Sequence, residues 1–165
     1  MEDTRFALAD PVISIGTLAK KVGLSVSTIR KYEIEGLIIP HRTATGRRLF
    51  SHEDIDRVRT IHSLIREKGL NIEGIRRLLA MLPCWELTPR GGAALEQCSA
   101  ARDALRPCWM TMSRHDPSQA EKCRNCAVYR YGSRCTEDVK GVVFGSDGRG
   151  LKEAVLELLK RRKAS

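Results

Sequence analysis

Residues Ile13 to Ile38 read I-S-I-G-T-L-A-K-K-V-G-L-S-V-S-T-I-R-K-Y-E-I-E-G-L-I. Two short apolar-periodic runs lie here, each preceded by a serine and closed by a glycine: Ser14 and Gly23 for one, Ser25 and Gly36 for the other. A serine before the first helical residue accepts a bond from an otherwise unpartnered backbone N–H, and a glycine after the last adopts the left-handed conformation that ends a helix. The pattern predicts helices over about Ile15–Val22 and Val26–Glu35, joined by a connection so short that they cross steeply. That is helix-turn-helix geometry.

The same start signal recurs downstream. An apolar residue before a capping Ser or Asn, with another apolar residue five positions later, forms a hydrophobic staple. It occurs at Ile13-Ser14 with Leu18, Leu24-Ser25 with Ile29, Phe50-Ser51 with Ile55 and Leu70-Asn71 with Ile75. The last two open helices predicted over His52–Lys68, with Ile55, Val58, Ile61, His62 and Ile65 at helical spacing, and Ile72–Leu82, stopped by Pro83. Between the second and third helices, Leu37-Ile38-Ile39 and Arg48-Leu49-Phe50 read as strands flanking the basic segment 40–47, a hairpin wing. A domain over 12–82 follows.

Beyond Pro83 the texture changes. Helix signals remain over Gly92–Leu105, where Cys98 shares a stripe with Ala94, Ala101 and Leu105, and over Leu151–Arg162, with Leu151, Val155, Leu158 and Leu159 on one side. Residues 110–150 lack periodicity and contain Pro117 and Gly132, so they read as loops organised by something other than a large core. The division is a cysteine-rich region over 83–140 and a basic amphipathic helix over 141–165.

The 165 residues carry a net charge of +9, which suggests a polyanionic partner. Arg30, Lys31, Arg42, Arg47 and Arg48 cluster against Glu33 and Glu35, and Lys160 to Lys163 make a second group that a solvated helix end also explains. No run approaches the roughly 18 apolar residues of a membrane span, and the start M-E-D-T-R resembles no leader, so a cytoplasmic protein with reduced thiols is expected. There is no glycine-rich phosphate loop, helical histidine pair or serine elbow, and an enzyme is not expected.

In a helix-turn-helix the N-terminal part of the second helix meets base edges in the major groove while flanking basic groups hold phosphates. Here that end presents Ser25, Ser27, Thr28, Arg30 and Lys31, and the wing offers Arg42, Arg47 and Arg48 to the adjacent backbone. The stretch Ile13–Ile38, the wing end R-R-L-F-S-H-E-D-I and the run I-R-E-K-G-L-N-I-E-G-I-R-R-L-L closely resemble the MerR family of bacterial transcription regulators. The resemblance covers about 12–82. It implies a winged helix-turn-helix DNA-binding domain there; together with the reading of the residues beyond Pro83, the expected fold is mainly α, that domain followed by a short dimerisation helix and a loop-rich cysteine region. It further implies a homodimer on double-stranded promoter DNA, which it untwists so that RNA polymerase can engage, with no membrane partner. By position it places Thr28, Arg30 and Tyr32 at the DNA; Tyr32 can equally be an aromatic that packs the helix.

The six cysteines follow C-W-x12-C-x9-C-W-x13-C-x2-C-x8-C from Cys84 through Cys98, Cys108, Cys123 and Cys126 to Cys135. In a reducing compartment an even count points to metal before disulfide, and two residues between Cys123 and Cys126 let both sulfurs address one ion. Four thiolates suit zinc or an iron-sulfur cluster, and spacing does not choose. Trp85 and Trp109, each directly after a cysteine, supply the apolar shell that tunes a cluster. The expectation is a redox- or metal-responsive site, with an iron-sulfur cluster ahead of zinc; reactive thiols and buried structural cysteines are the alternatives, the latter chiefly for Cys98. His115 is a further candidate ligand, though a lone loop histidine is more often solvated.

Overall fold

The computed structural model describes residues 9–82, 99–103, 105–112 and 117–135. The head opens with β1 (Ile13–Ser14), α1 (Ile15–Val22) and α2 (Val26–Ile34). The wing is β2 (His41–Arg42) and β3 (Arg48–Phe50), followed by α3 (His52–Arg66) and α4 (Ile72–Ala80). Beyond the head lie α5 (Ser99–Arg102), α6 (Cys108–Met112), α7 (Pro117–Arg124) and α8 (Ala127–Cys135).

All four start signals form as read. Ser14 caps Thr17 N at 3.2 Å, Ser25 caps Thr28 N at 3.1 Å, and Asn71 caps Gly74 N at 2.7 Å. Ser51 and Asp54 make a reciprocal capping box at the head of α3, with Asp54 N donating to Ser51 Oγ and Ser51 N to Asp54 Oδ2. The staple residues Leu18, Ile29, Phe50, Ile55 and Ile75 are buried in one core with Val58, Ile61 and Leu79. At the end of α2, Gly36 takes φ 71°, and its N–H and that of Leu37 bond back to the carbonyls of Glu33 and Tyr32. These two bonds close the helix.

The wing departs from the expected hairpin. Leu37-Ile38-Ile39 is not a strand but a buried connector, and β2 starts after Pro40. Backbone groups that a ladder would use are occupied by side chains from elsewhere: Arg57 Nε donates to Leu37 O at 2.9 Å, and the Tyr129 hydroxyl accepts from Ile39 N at 2.6 Å. β3 instead sits in the centre of an antiparallel sheet ordered β1-β3-β2, with Ile13 opposite Phe50 and Arg42 opposite Arg48. A strand of two residues is too short to leave a periodic mark.

The larger departure is past the head. Residues 117–135, read as loop, form two helices, and Trp109, Val128 and Tyr129 enter the same core as the head. Gly132, read as a loop marker, is a packing glycine of α8: a Cβ there would stand 2.6 Å from Leu82 Cδ1. Small side chains let elements approach closely, a use of glycine that local sequence does not distinguish from a turn. The helix predicted over 92–105 is seen as α5 alone and stops at Arg102, because Asp103 Oδ1 accepts from Leu105 N and Arg106 N at 3.0 and 3.1 Å. Its earlier part and the helix predicted over 151–162 lie outside the described residues.

Head and α6–α8 are fastened through Arg57 of α3. Its guanidinium is buried, donates from Nη1 to the Tyr129 carbonyl as well as from Nε to Leu37, and stacks 3.8 Å from the Tyr129 ring and 5.1 Å from that of Trp109. The two rings meet edge to face at 5.3 Å. Trp109 Nε1 donates to Gly36 O at 2.8 Å, and Arg130 makes a two-pronged ion pair with Glu53. Replacing Arg57 by methionine keeps most of the volume but strands the Leu37 carbonyl and removes the tie to the Tyr129 carbonyl, so R57M is expected to lose about 2–4 kcal/mol of stability. Thermal unfolding followed by circular dichroism checks this; an unchanged midpoint would mean that relief from guanidinium desolvation cancels the lost bonds.

Candidate nucleic-acid interface

Helical periodicity divides α2 into two faces. Ile29 and Tyr32 point into the core, whereas Ser27, Arg30, Lys31 and Ile34 are exposed together. Tyr32 is 3% exposed, and its hydroxyl lies 3.3 Å from His62 Nδ1. Burial raises its phenol pKa, so it stays neutral. Of the two readings of Tyr32, the structure places it on the packing side. Ser25 and Thr28 are engaged locally: the Ser25 hydroxyl lies 2.8 Å from those of both Ser27 and Thr28 while capping the helix. The exposed end of α2 is therefore a helix N-terminus carrying three hydroxyls, which suits an anionic phosphate oxygen.

The wing stands beside this face, held by an acid of α2 itself. Glu33 accepts from Arg42 Nη2 through one oxygen and from Arg48 Nε through the other, each at 2.7 Å. One carboxylate between two guanidiniums leaves a net positive charge and fixes both arginines, so they stand as an ordered pair rather than as free surface cations. The second acid, Glu35, is taken by Arg76 of α4. With Glu33 of α2 and Glu35, the residue that caps its end, both paired, Arg30 and Lys31 carry the outward charge, and neither has an acidic partner among the described residues. Arg47 is exposed beyond them at the wing tip, where Thr43 closes the loop by bonds to Arg47 O and N, both 3.0 Å. Composition counted Glu33 only as a subtraction from local charge; no spacing signal announces a residue that acts on partners nine and fifteen positions away.

Residues 13–82 match the family described as MerR HTH family regulatory protein. The chain carries a MerR-family helix-turn-helix domain. It is similar to the HTH-type transcriptional regulator GlnR of Bacillus anthracis, 41% identical over 80 residues, covering 48% of this chain and 59% of that protein. The putative heat shock protein HspR of Streptomyces coelicolor is 37% identical over 71 residues, 43% of this chain and 47% of that one. The mercuric resistance operon regulatory protein of Bacillus cereus is 41% identical over 69 residues, 41% of this chain and 52% of that one. The chain spans less than two thirds of the length of each of these relatives. Among the described residues no helix is long and apolar enough to cross a membrane.

The thiols sit behind the MerR-type head. Cys123 belongs to α7 and Cys126 directly precedes α8, with Cys126 N donating to Cys123 O at 3.0 Å across the turn. Both are half-buried against the common core, as is Cys108 at the start of α6. Among the described residues no three His, Cys, Asp or Glu side chains form a metal-ligating group. Cys84, Cys98 and His115 lie outside the described residues, as does the side chain of Cys135. Two residues before Cys123, Glu121 bonds His41 of the wing at 2.9 Å and Arg124 at 3.0 Å. Burial alone would raise its pKa, but the bonds and charges of Arg124 and His41 outweigh this and hold it at about 2, below the usual 4.5.

Two outcomes follow from this geometry. Arg30→Ala and Arg47→Ala should each lower the slope of log K against log salt for duplex binding by about one, as measured by fluorescence anisotropy. Because the folded pKa of Glu121 is depressed, its contribution to stability is complete above the unfolded value and is lost as pH falls from about 4.5 through about 2. Glu121→Gln should remove that part of the acid sensitivity in pH-dependent urea titrations.

Proposed function

We propose that the chain is a DNA-binding transcriptional regulator that grips double-stranded promoter DNA as a homodimer. In this reading it distorts the duplex in favour of RNA polymerase and answers a redox or metal signal through its cysteines. The observation that carries the DNA-binding part is the exposed cationic face of Arg30, Lys31 and Arg47, which has no acidic partner among the described residues, built on the domain that matches the MerR family. The helix N-terminus and its Ser25, Ser27 and Thr28 hydroxyls would position phosphates, and Arg30 can address a guanine edge. Arg42 and Arg48, pre-set by Glu33, would meet the flanking backbone. A two-fold dimer requires a two-fold site, and twist imposed between its halves is an energy that the regulator can switch. The relatives named as regulators support this class over an enzyme.

The signal part rests on the Cys123–Cys126 turn. Two half-buried thiols on one tight turn fit part of a four-thiolate set, which other cysteines of the chain would complete. An iron-sulfur cluster held there would supply a redox change in charge; zinc would make the site structural or metal-sensing. The core on which Cys123 and Cys126 pack contains Trp109 and Tyr129, apolar surroundings of the kind that either group would need.

Purification without oxygen, followed by a visible spectrum and by iron, sulfide and zinc analysis, tests this. Brown protein with iron and sulfide is expected, and Cys126→Ser should lose most of both. Colourless protein with about one zinc per chain would establish the structural alternative, and metal-free protein would overturn both forms of the cysteine site. Duplex selection from a random pool tests the rest: enrichment of a two-fold sequence is expected, and absence of any enriched sequence would sink the regulator reading.

A further inference from the structure

The two helices that flank the Cys123–Cys126 turn are the same two that hold the wing. From α7, Glu121 Oε2 reaches Nδ1 of His41, the first residue of β2, at 2.9 Å. From α8, the Tyr129 hydroxyl accepts from Ile39 N at 2.6 Å, just before Pro40. Glu121 is itself fixed from behind by Arg124, whose side chain is buried and also donates to Ala9 O at 3.4 Å. Tyr129 is fixed through its carbonyl and ring by Arg57. Neither contact is a loose surface encounter: each ends on a side chain with one rigid support of its own.

The wing is well placed to feel them. β2 is two residues long and, among the described residues, pairs only with β3. His41 is followed at once by Arg42, whose guanidinium sits on Glu33 beside Arg48. A shift of α7 or α8 therefore moves Ile39 and His41 directly, and Arg42 one residue later. We infer that Glu121 and Tyr129 are positioning residues for the wing: from either side of the Cys123–Cys126 turn they set where Arg42, Arg47 and Arg48 stand relative to α2. A ligation or redox change at the turn thus reaches the DNA-reading surface of its own chain, in parallel with any route through a dimer. This rests on the DNA-binding reading above and adds to it the path of regulation.

Two variants of the full chain test it. Glu121→Gln removes the charge that holds His41 and leaves the shape of α7; Tyr129→Phe removes one oxygen. Amide exchange read by NMR in the free protein should rise several-fold at Ile39, His41 and Arg42 in both, with Ile29 and Tyr32 of α2 keeping their protection. On a mixed-sequence duplex several turns long, the salt slope should fall by about one in E121Q as wing contacts to phosphate are lost. A merely structural role would lower protection throughout the head and leave the slope alone. Unchanged exchange at residues 39–42, or raised exchange with an unchanged salt slope, overturns the inference. Should Y129F not fold, E121Q decides alone, since Glu121 is half-exposed. Wild-type protein that binds no duplex would instead overturn the DNA-binding reading, a failure distinct from one in which wild type and E121Q bind identically.

Discussion

A single buried guanidinium organises this protein. Arg57 projects from α3 into a place where the connector after α2, the Trp109 helix and the Tyr129 helix all converge. A buried charge is costly unless its donors are used and its field is met by polarisable or anionic neighbours. Burial lowers the Arg57 pKa, and Tyr129 and Asp54 oppose that shift. The two carbonyls it takes, Leu37 and Tyr129, belong to segments 92 residues apart in the chain, so the same group that must be satisfied also sets how those segments lie. The absence of a strand at 37–39, the depth of Tyr129 and the seat of Trp109 go with the bonds of Arg57 Nε and Nη1 and the rings stacked on it, while its Nη2 is buried with no hydrogen-bond partner among the described residues.

The exposed basic face of α2 and the wing is arranged by a second economy of charge. Glu33 of α2 and Glu35 at its C-terminal cap are turned onto arginines, Glu33 onto the wing and Glu35 onto α4, which leaves Arg30 and Lys31 outward. Uncompensated acids on that face would repel phosphate; paired, Glu33 orders two cations at once. Ordered side chains lose less freedom when they meet a ligand, so the pairing favours defined wing contacts over diffuse attraction.

Behind the head, the cysteine-bearing helices share its core. Because Val128, Tyr129 and Trp109 are packed with Phe50, Val58 and Ile61, a change at the Cys123–Cys126 turn meets a close-packed interior, which transmits displacement rather than absorbing it. The polar ties at Gly36, Ile39, His41 and Glu53 give that displacement definite points of arrival.

The head was legible because its determinants are local. Caps at Ser14, Ser25, Ser51 and Asn71, the staples behind them and the stop at Gly36 act over five residues or fewer, so the order and starts of α1–α4 and the exposed face of Arg30 and Lys31 follow from the chain alone, while α2, α3 and α4 end one or two residues before the expected positions. What local pattern did not contain was decided by partners distant in sequence. Pro40 and the claims of Arg57 and Tyr129 shorten the wing strand; Leu82 makes a helix glycine of Gly132; His62 and burial settle Tyr32 inside; Glu33 gathers the wing arginines. The cysteine spacing marked the Cys123–Cys126 turn as a site of interest, but its attachment to the wing arises from packing on a core that only the folded chain assembles. Short-range hydrogen bonds and periodicity are written in neighbouring residues, whereas the satisfaction of a buried charge depends on whichever segments the fold brings to it.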